Sequence, residues 1–557
     1  METTNQKLER VLKKVQKPAR YTGGEYNQVI KNKKDVNIRV AFCFPDTYEI
    51  GMSNLGLKIL YGVLNEIEDV WCERVFAPWI DMEAEMREGG IALYGLESCD
   101  AVSDFDIIAF SLGYELSYTN VLNMLDLARV PLRSKSRGED DPLVIAGGSC
   151  CYNPEPVAEF FDLFVIGEGE EAVVELIDAY KSTPGKNDFL NAAATIKGIY
   201  VPSLYYDDSP QVIKRFVKDL DKSYFPVETI IPSTGIVHDR AVLELFRGCI
   251  RGCKFCQAGY TGNPVRSRSP EVLAQQGKAA IKNSGYDELA LLSLSTSDYK
   301  HLDELCDSLL QWCQPGKVNL SLPSLRADNF SIELMEKVQK VRKSGLTFAP
   351  EAGTQRLRDY INKKITEEEL LSACRVAFAG GWSSVKLYFM LGLPTETDED
   401  VTAIADIAHA VHQTWREHTN NKSRGVRITV STSFFIPKPH TPFEREAQIS
   451  ISEYLRRVEL LRSSIRSKSI TYNWHSPEQG YIEAALSRGD RQIGDVIEAV
   501  WRSGSKMDSW SEHFSLENWL NAFDDSSLEP DFYASRERIE NEKLPWSFIN
   551  VRGSGDG

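Results

Sequence analysis

From Val36 onward, short apolar runs alternate with stretches of helical spacing. The run "VNIRVAFCFPD" ends in turn residues and reads as a buried strand, while "SNLGLKILYGVLNEI" repeats apolar residues at the period of a helix. "DIIAFSL", "PLVIAGG" and "LFVIGEGE" are further strands with helical stretches between them. Strands apolar on both faces, alternating with helices, predict a parallel sheet covered on both sides. Ligands bind such sheets at the carboxyl ends of the strands. The loops there are "FPDTYEIGMSNLG", "SLGYELSYTN", "GGSCCYNPEP" and "GEGEEA", rich in Gly, Ser and Tyr.

A second alternation starts near Asp239, with strands at "AVLELFRG", "ELALLSLST", "KVNLSLPSLRA", "GLTFAPEAG", "SSVKLYFMLG" and "RITVSTSFFIP". Six strand–helix units predict a barrel, open or closed, with its chemistry at the carboxyl-end loops. The reading therefore divides the chain into a basic, solvated arm over 1–35, a parallel-sheet domain over 36–185 and a linker over 186–236. A barrel follows over 237–450, and a helical, aromatic region over 451–557 holds Trp474, Trp501, Trp510, Trp519 and Trp546. Neither a long internal repeat nor a low-complexity tract interrupts it.

Composition narrows the class. The 557 residues are 42% hydrophobic and 26% charged, as globular chains are. Lys and Arg total 64 against 80 Asp and Glu, a net charge of −16, which argues against a broad nucleic-acid surface and leaves room for a local basic patch. No apolar run is long enough to span a bilayer, and the start is polar and basic, so the expectation is a cytoplasmic protein with no membrane partner. Eleven cysteines, an odd number without a secretory signal, argue against a disulfide framework.

Three of those cysteines change the picture. "ELFRGCIRGCKFCQAGY" places Cys249, Cys253 and Cys256 within eight positions. At this Cys frequency a chance C-x3-C-x2-C arises about 0.004 times per chain. Structural zinc takes four protein ligands, and no second pair lies nearby. Three thiolates on one loop suit three corners of a [4Fe–4S] cube, leaving the fourth iron open. Gly248 and Gly252 let the loop turn tightly. Arg247, Arg251 and Lys254 either offset the thiolate charge or are simply solvated.

This triplet, at the end of the first strand of a repeated βα pattern, resembles the radical S-adenosylmethionine (SAM) superfamily, and Phe255 fits the aromatic before the third Cys. The resemblance implies a partial (βα)6 barrel, with SAM chelated on the open iron and cleaved to a 5′-deoxyadenosyl radical. It also implies a reducing partner such as flavodoxin or ferredoxin. Ser295, Thr296 and Ser297 end the second strand, where the family binds the methionyl amine. Ser324 and Arg326 end the third, suited to the SAM carboxylate or ribose. Glu351 ends the fourth, and Gly392 in "MLGLPTET" ends the fifth, where backbone groups meet the adenine.

The preceding sheet resembles the Rossmann-like cobalamin-binding domain of cobalamin-dependent radical SAM enzymes. The match lies in "GGSCCYNPEPVAEFFDLFVIGEGEEAV", giving Gly147, Gly148, Gly167, Glu168 and Gly169, with Ser111 at the third strand. The D-x-H-x-x-G motif is absent, and the first histidine is His238. Cobalamin would therefore lack a histidine from this domain, or the domain serves another purpose. Together with "KPARYTGGEYN", "SRGDRQIGDVIEAVW" and "WSEHFSLENW", the chain looks like an uncharacterised bacterial family of cobalamin-binding-domain radical SAM proteins. That implies methyl transfer to an unactivated carbon or phosphorus, with the substrate open between a small molecule, an RNA and a peptide. Two alternatives stand: a methylthiotransferase-like enzyme using Cys43, Cys150 and Cys151 for a second cluster, and a non-catalytic cobalamin or redox sensor. His440, His475, Arg488 and Asp490 are further substrate-facing candidates.

Overall fold

The computed structural model describes residues 4–206, 208–322, 346–419 and 425–552. They form two compact units: 1–239 with 486–530 and 543–557, and 240–485 with 531–542. The region expected as one helical tail is thus shared between them.

In the first unit the expected parallel sheet is present. Its strands are β1 (Ile38–Phe44), β2 (Val70–Phe76), β3 (Ile107–Ser111), β4 (Leu143–Gly147), β5 (Leu163–Val165) and β6 (Ile199–Tyr200), in the order β2-β1-β3-β4-β5-β6. All neighbours run parallel except β6, which is antiparallel to β5. The chain steps from β1 outward to β2 and then returns to β3 on β1's other side. The β1–β3 gap is therefore the switch point at which such sheets receive ligands. Helix Leu55–Glu66 follows β1, and the Asn54 side chain caps it by accepting from the Leu57 N–H at 3.0 Å.

The N-terminal arm, expected to be solvated, is bolted down instead. Arg20 donates to Glu49 at 2.9 Å, and Glu25 pairs with Arg74 at 2.9 Å with both side chains fully buried. The Lys31 ammonium donates to the carbonyls of Asn65, Ile67 and Val70 at 2.8, 2.7 and 2.6 Å. It thereby satisfies orphan acceptors at the end of helix Leu55–Glu66. A charge count sees a basic arm; it cannot see that Lys7, Lys14, Lys17, Arg20, Lys31 and Lys33 have acceptors in the body. The expected linker is likewise built in. It contributes β6 and a short strand, Val212–Ile213, that pairs in parallel with Ile549–Asn550.

The second unit carries two parallel sheets among the described residues. β7 (Ala241–Glu244), β8 (Glu288–Leu292) and β9 (Asn319–Ser321) form one sheet in the order β9-β8-β7. β10 (Leu346–Glu351), β11 (Ser384–Leu391), β12 (Arg427–Phe434) and β13 (Ile470–Trp474) form another in sequence order, and every pair is parallel. The six expected strands are all present, and β13 adds a seventh from text that reads as helical. Val385, Leu387, Phe389 and Leu391 on one face of β11 pack with Val401, Ile404, Ala408 and Val411 of helix Asp398–His418. Each such side chain contributes about 1.5–3 kcal/mol of burial. Helix Pro270–Ser284 comes so close to its sheet that a Cβ on Gly277 would stand 3.0 Å from Leu243. No helix among the described residues is long and apolar enough to cross a membrane.

Candidate cluster site and ligand-binding strand ends

After β7 the chain makes a two-residue strand, Phe246–Arg247, pinned antiparallel to Arg266–Ser267, and then enters the cysteine loop. Gly248 and Gly252 have φ of +88° and +64°, left-handed conformations that favour glycine. A Cβ on Gly248 would lie 3.0 Å from the carbonyl oxygens of Gly262 and Pro264. Cys249, Cys253 and Cys256 are all outside any disulfide, with Cys253 buried and the other two half-buried. Burial pushes the Cys256 thiol upward, and charge on Cys253, Cys249 and Glu351 adds to the rise. The N–H of Gly259 works the other way. The three sulfurs thus feel one another in a single neighbourhood. Among the described residues no three His, Cys, Asp or Glu converge on a point that would hold one metal ion. Three thiols on one loop are the donor set that three corners of a polynuclear cluster require, one thiolate to each.

The other second-unit candidates gather around this loop in different ways. Phe255 packs on the apolar cluster of Ala352, Leu357, Ile361, Met390, Leu393, Phe435 and Phe443, which anchors the loop at the ends of β10, β11 and β12. Ser295 is buried and donates to Asp298 at 2.7 Å, while the fully buried Thr296 hydroxyl bonds with Ser293 at 3.1 Å. Both hydroxyls shape the strand end, and Asp298 in turn holds Arg251 of the cysteine loop through a bidentate pair. Ser297 is half-buried beside them. Ser324 and Arg326 lie outside the described residues. Glu351 follows a register shift in β10, has φ +71° and pairs with Lys363 at 3.2 Å. The N–H of Gly392 is already taken by Glu396 at 2.7 Å. Burial raises that carboxyl to about 7 although Arg457 bonds it at 2.5 Å. The backbone N–H of His440 donates to Glu444 at 2.9 Å, and His475 is an exposed residue following β13.

In the first unit Ser111 and Gly147 are paired across the ends of β3 and β4. Gly148 has φ +116°, and a Cβ there would meet the Leu112 carbonyl oxygen at 2.4 Å. Gly113 beside them has nothing within 4 Å of where a Cβ would stand, and Ser149 is exposed. Gly113 and Ser149 leave the strand ends open here, while Gly148 is fixed by its close approach to Leu112. Gly167 and Glu168 serve the fold instead: a Cβ on Gly167 would strike Arg215 O at 2.1 Å, and Glu168 accepts from the Val217 N–H at 2.8 Å. Gly169 starts helix Glu170–Ser182.

The C-terminal segment reaches the switch point, which the sequence pattern conceals. Trp510 Nε1 donates to Asp46 after β1 at 3.0 Å, and the Met507 N–H donates to Asn120 after β3 at 2.7 Å. Thr119 donates to the buried Asp508 at 2.7 Å. The same segment brings His513 into this unit, its ring edge-on to Trp79 at 5.0 Å and its Nε2 buried. Arg488 is fully buried, which overturns its reading as a substrate-facing group, and Asp490 caps the following turn through the Gln492 N–H. Cys43, Cys150 and Cys151 are buried, and burial pushes the Cys43 and Cys151 thiols well above their usual range.

Three thiols on one strand-end loop of a parallel α/β unit define an iron–sulfur protein, and similarity to known proteins gives its kind. The family described as "Radical SAM proteins, N-terminal" matches residues 56–202, and "Radical SAM superfamily" matches residues 243–408. The chain belongs to the radical SAM superfamily and is a radical SAM enzyme. An uncharacterised protein of Methanocaldococcus jannaschii is 28% identical over 88% of this chain and 97% of its own length. An uncharacterised methyltransferase of Pyrococcus horikoshii is 26% identical over 51% of this chain and 61% of its own. Among solved structures, the radical SAM methyltransferase TsrM of Kitasatospora setae, with cobalamin and a [4Fe–4S] cluster bound, aligns with a TM-score of 0.52 and 15% identity. That alignment covers 74% of this chain and 78% of TsrM. The cobalamin-dependent enzyme OxsB, with aqua-cobalamin and SAM, aligns with a TM-score of 0.51 and 13% identity over 87% and 72%. At such identities the likeness is one of fold.

Proposed function

We propose that this protein is a cobalamin-dependent radical SAM methyltransferase. The observation that carries the radical part is the thiol tripod of Cys249, Cys253 and Cys256 on a loop shaped by two left-handed glycines. When bound, the [4Fe–4S] cluster supplies the electron that splits SAM, and the corrinoid carries the methyl group. The chain's own share is placement. Cys249, Cys253 and Cys256 would hold the cluster by three of its irons, and a fourth would be open to SAM. The bidentate Arg251–Asp298 pair fixes the loop against the end of β8, and Phe255 seals its apolar side. Burial of Cys253 keeps water from that corner.

The corrinoid part rests on a sheet whose order leaves a switch point between β1 and β3, on the glycine-rich strand ends at Ser111, Gly113, Gly147 and Gly148, and on the shared fold of TsrM and OxsB. No histidine precedes His238, so a corrinoid at this sheet would be held without an imidazole from residues 36–185. The methylthiotransferase alternative needs a second cluster on Cys43, Cys150 and Cys151, all of which are buried. Electrons come from a flavodoxin or ferredoxin, and the substrate is a small molecule, an RNA or a peptide. Anaerobic preparation with hydroxocobalamin, followed by iron, sulfide and corrinoid quantification and by incubation with SAM and dithionite, tests the proposal. Expected are one cluster and one corrinoid per chain, with 5′-deoxyadenosine or S-adenosylhomocysteine formed. Zinc at the tripod, or no metal there, overturns the radical part, and a corrinoid-free protein with an intact cluster overturns the methyl-carrier part.

A further inference from the structure

The cysteine loop turns so tightly that its own backbone cannot satisfy all its carbonyls, and the residues that do so lie outside the motif. The Asn362 side-chain amide donates to Arg251 O at 3.0 Å and to Gly252 O at 2.8 Å. Its neighbour Ile361 accepts from the Lys254 N–H at 3.0 Å, and the Lys254 ammonium lies 4.6 Å above the Tyr360 ring. Three consecutive residues from the connection after β10 therefore grip the stretch between the first and third thiols. On the other side of the loop, Asn263 accepts from the Cys249 N–H at 3.2 Å and donates to Gly259 O at 2.7 Å.

We infer that Asn362 is a positioning residue for the cluster, setting the curvature of the loop that carries Cys249 and Cys253. The inference rests on the cluster reading above. Asn362 has φ +59°, a left-handed backbone that Gly, Asn and Asp adopt most readily. Of those three only Asn also donates hydrogen bonds from its side chain. Gly would leave the two carbonyls without that donor. Asp would turn a donor into an acceptor and add negative charge where three thiolates already gather. Groups that orient ligands of a metal centre without touching the metal tune both retention and electronics.

Asn362→Asp and Asn362→Gly separate this role from one of folding, since both keep the left-handed backbone and the Ile361–Lys254 bond. The expected result is an unchanged thermal midpoint of the metal-free protein. After anaerobic reconstitution and desalting, the Asp variant should retain about tenfold less iron and sulfide. The Gly variant should fall between the Asp variant and wild type. The electron paramagnetic resonance signal of the residual reduced cluster should no longer shift when SAM is added. If the Asp variant fails to fold, the Gly variant carries the test. Wild-type iron retention with a wild-type SAM response in the folded variants overturns the assignment. A wild-type chain that takes up no iron overturns the cluster reading beneath it.

Discussion

The first unit puts ion pairs inside its sheet, whereas in the second the buried polar groups of the strands are neutral, Asn319, Ser321, Thr429 and Thr432 among them. Arg74, at the centre of β2, is fully buried with Glu25 from the arm and Glu97, and Arg39 pairs with the buried Glu73 at 2.5 Å. Burial pushes the Glu97 carboxyl up, while beside the same guanidinium Glu25 is held below its ordinary value despite burial. One cation cannot offset two desolvated carboxylates equally. In the second unit the buried face of β11 is Val, Leu, Phe and Leu, and the cysteine loop is shaped by its own glycines and by an amide brought in from Asn362. The difference teaches where each unit keeps its specificity. In the first it lies in ion pairs inside the sheet, and in the second in hydrogen bonds and glycine turns that shape one strand-end loop.

That contrast can be broken most completely at the tripod. Cys249→Ala, Cys253→Ala or Cys256→Ala should each abolish bound iron, sulfide and SAM cleavage while leaving the first unit folded, as read by metal analysis and circular dichroism. Next in size, Arg74→Ala strands two buried carboxylates and should cost the first unit about 3–5 kcal/mol, measured as its own denaturant transition. Cluster content should stay at the wild-type level.

A smaller effect concerns pH. Burial raises Asp508 to about 6, against about 3.9 in an unfolded chain. The folded state then holds the proton more tightly, so this stabilisation is complete below about pH 4 and lost as pH rises through about 6. Asp508→Asn should flatten that dependence and stabilise the neutral-pH protein by about 2–3 kcal/mol at most, read from thermal midpoints across that range. Least of all, Cys43→Ala and Cys151→Ala should leave iron and sulfide per chain unchanged, which sharpens the contrast by denying the first unit a cluster.

The sequence made the two α/β alternations and the cysteine triplet legible because each is local: strand periodicity and C-x3-C-x2-C spacing need no partner elsewhere. It did not make Asn362 or Asp298 legible, since nothing near them in sequence announces a loop 47 or 110 residues away. Strand β13 escaped because "ITYNW" carries polar residues and an open face toward its carboxyl end, which blurs its apolar run. The arm escaped because lysines and arginines read as solvated until their acceptors are placed. Ser295 and Thr296 were legible as a strand-end cluster; that their hydroxyls turn inward is a matter of packing.

The path of the chain has a consequence for biosynthesis. Residues 486–530, which reach the switch point of the first sheet, are translated only after the whole of 240–485. At about 5–20 residues per second, making 240–485 alone gives that segment a delay of roughly 12–50 s. During it the nascent amino-terminal sheet lacks Trp510, Met507 and the helix Ile493–Arg502, so its carboxyl edge waits open while the iron-binding half is being made. Severing the gene at the boundary between the units would give not two autonomous halves but an amino-terminal piece deprived of its closing segment.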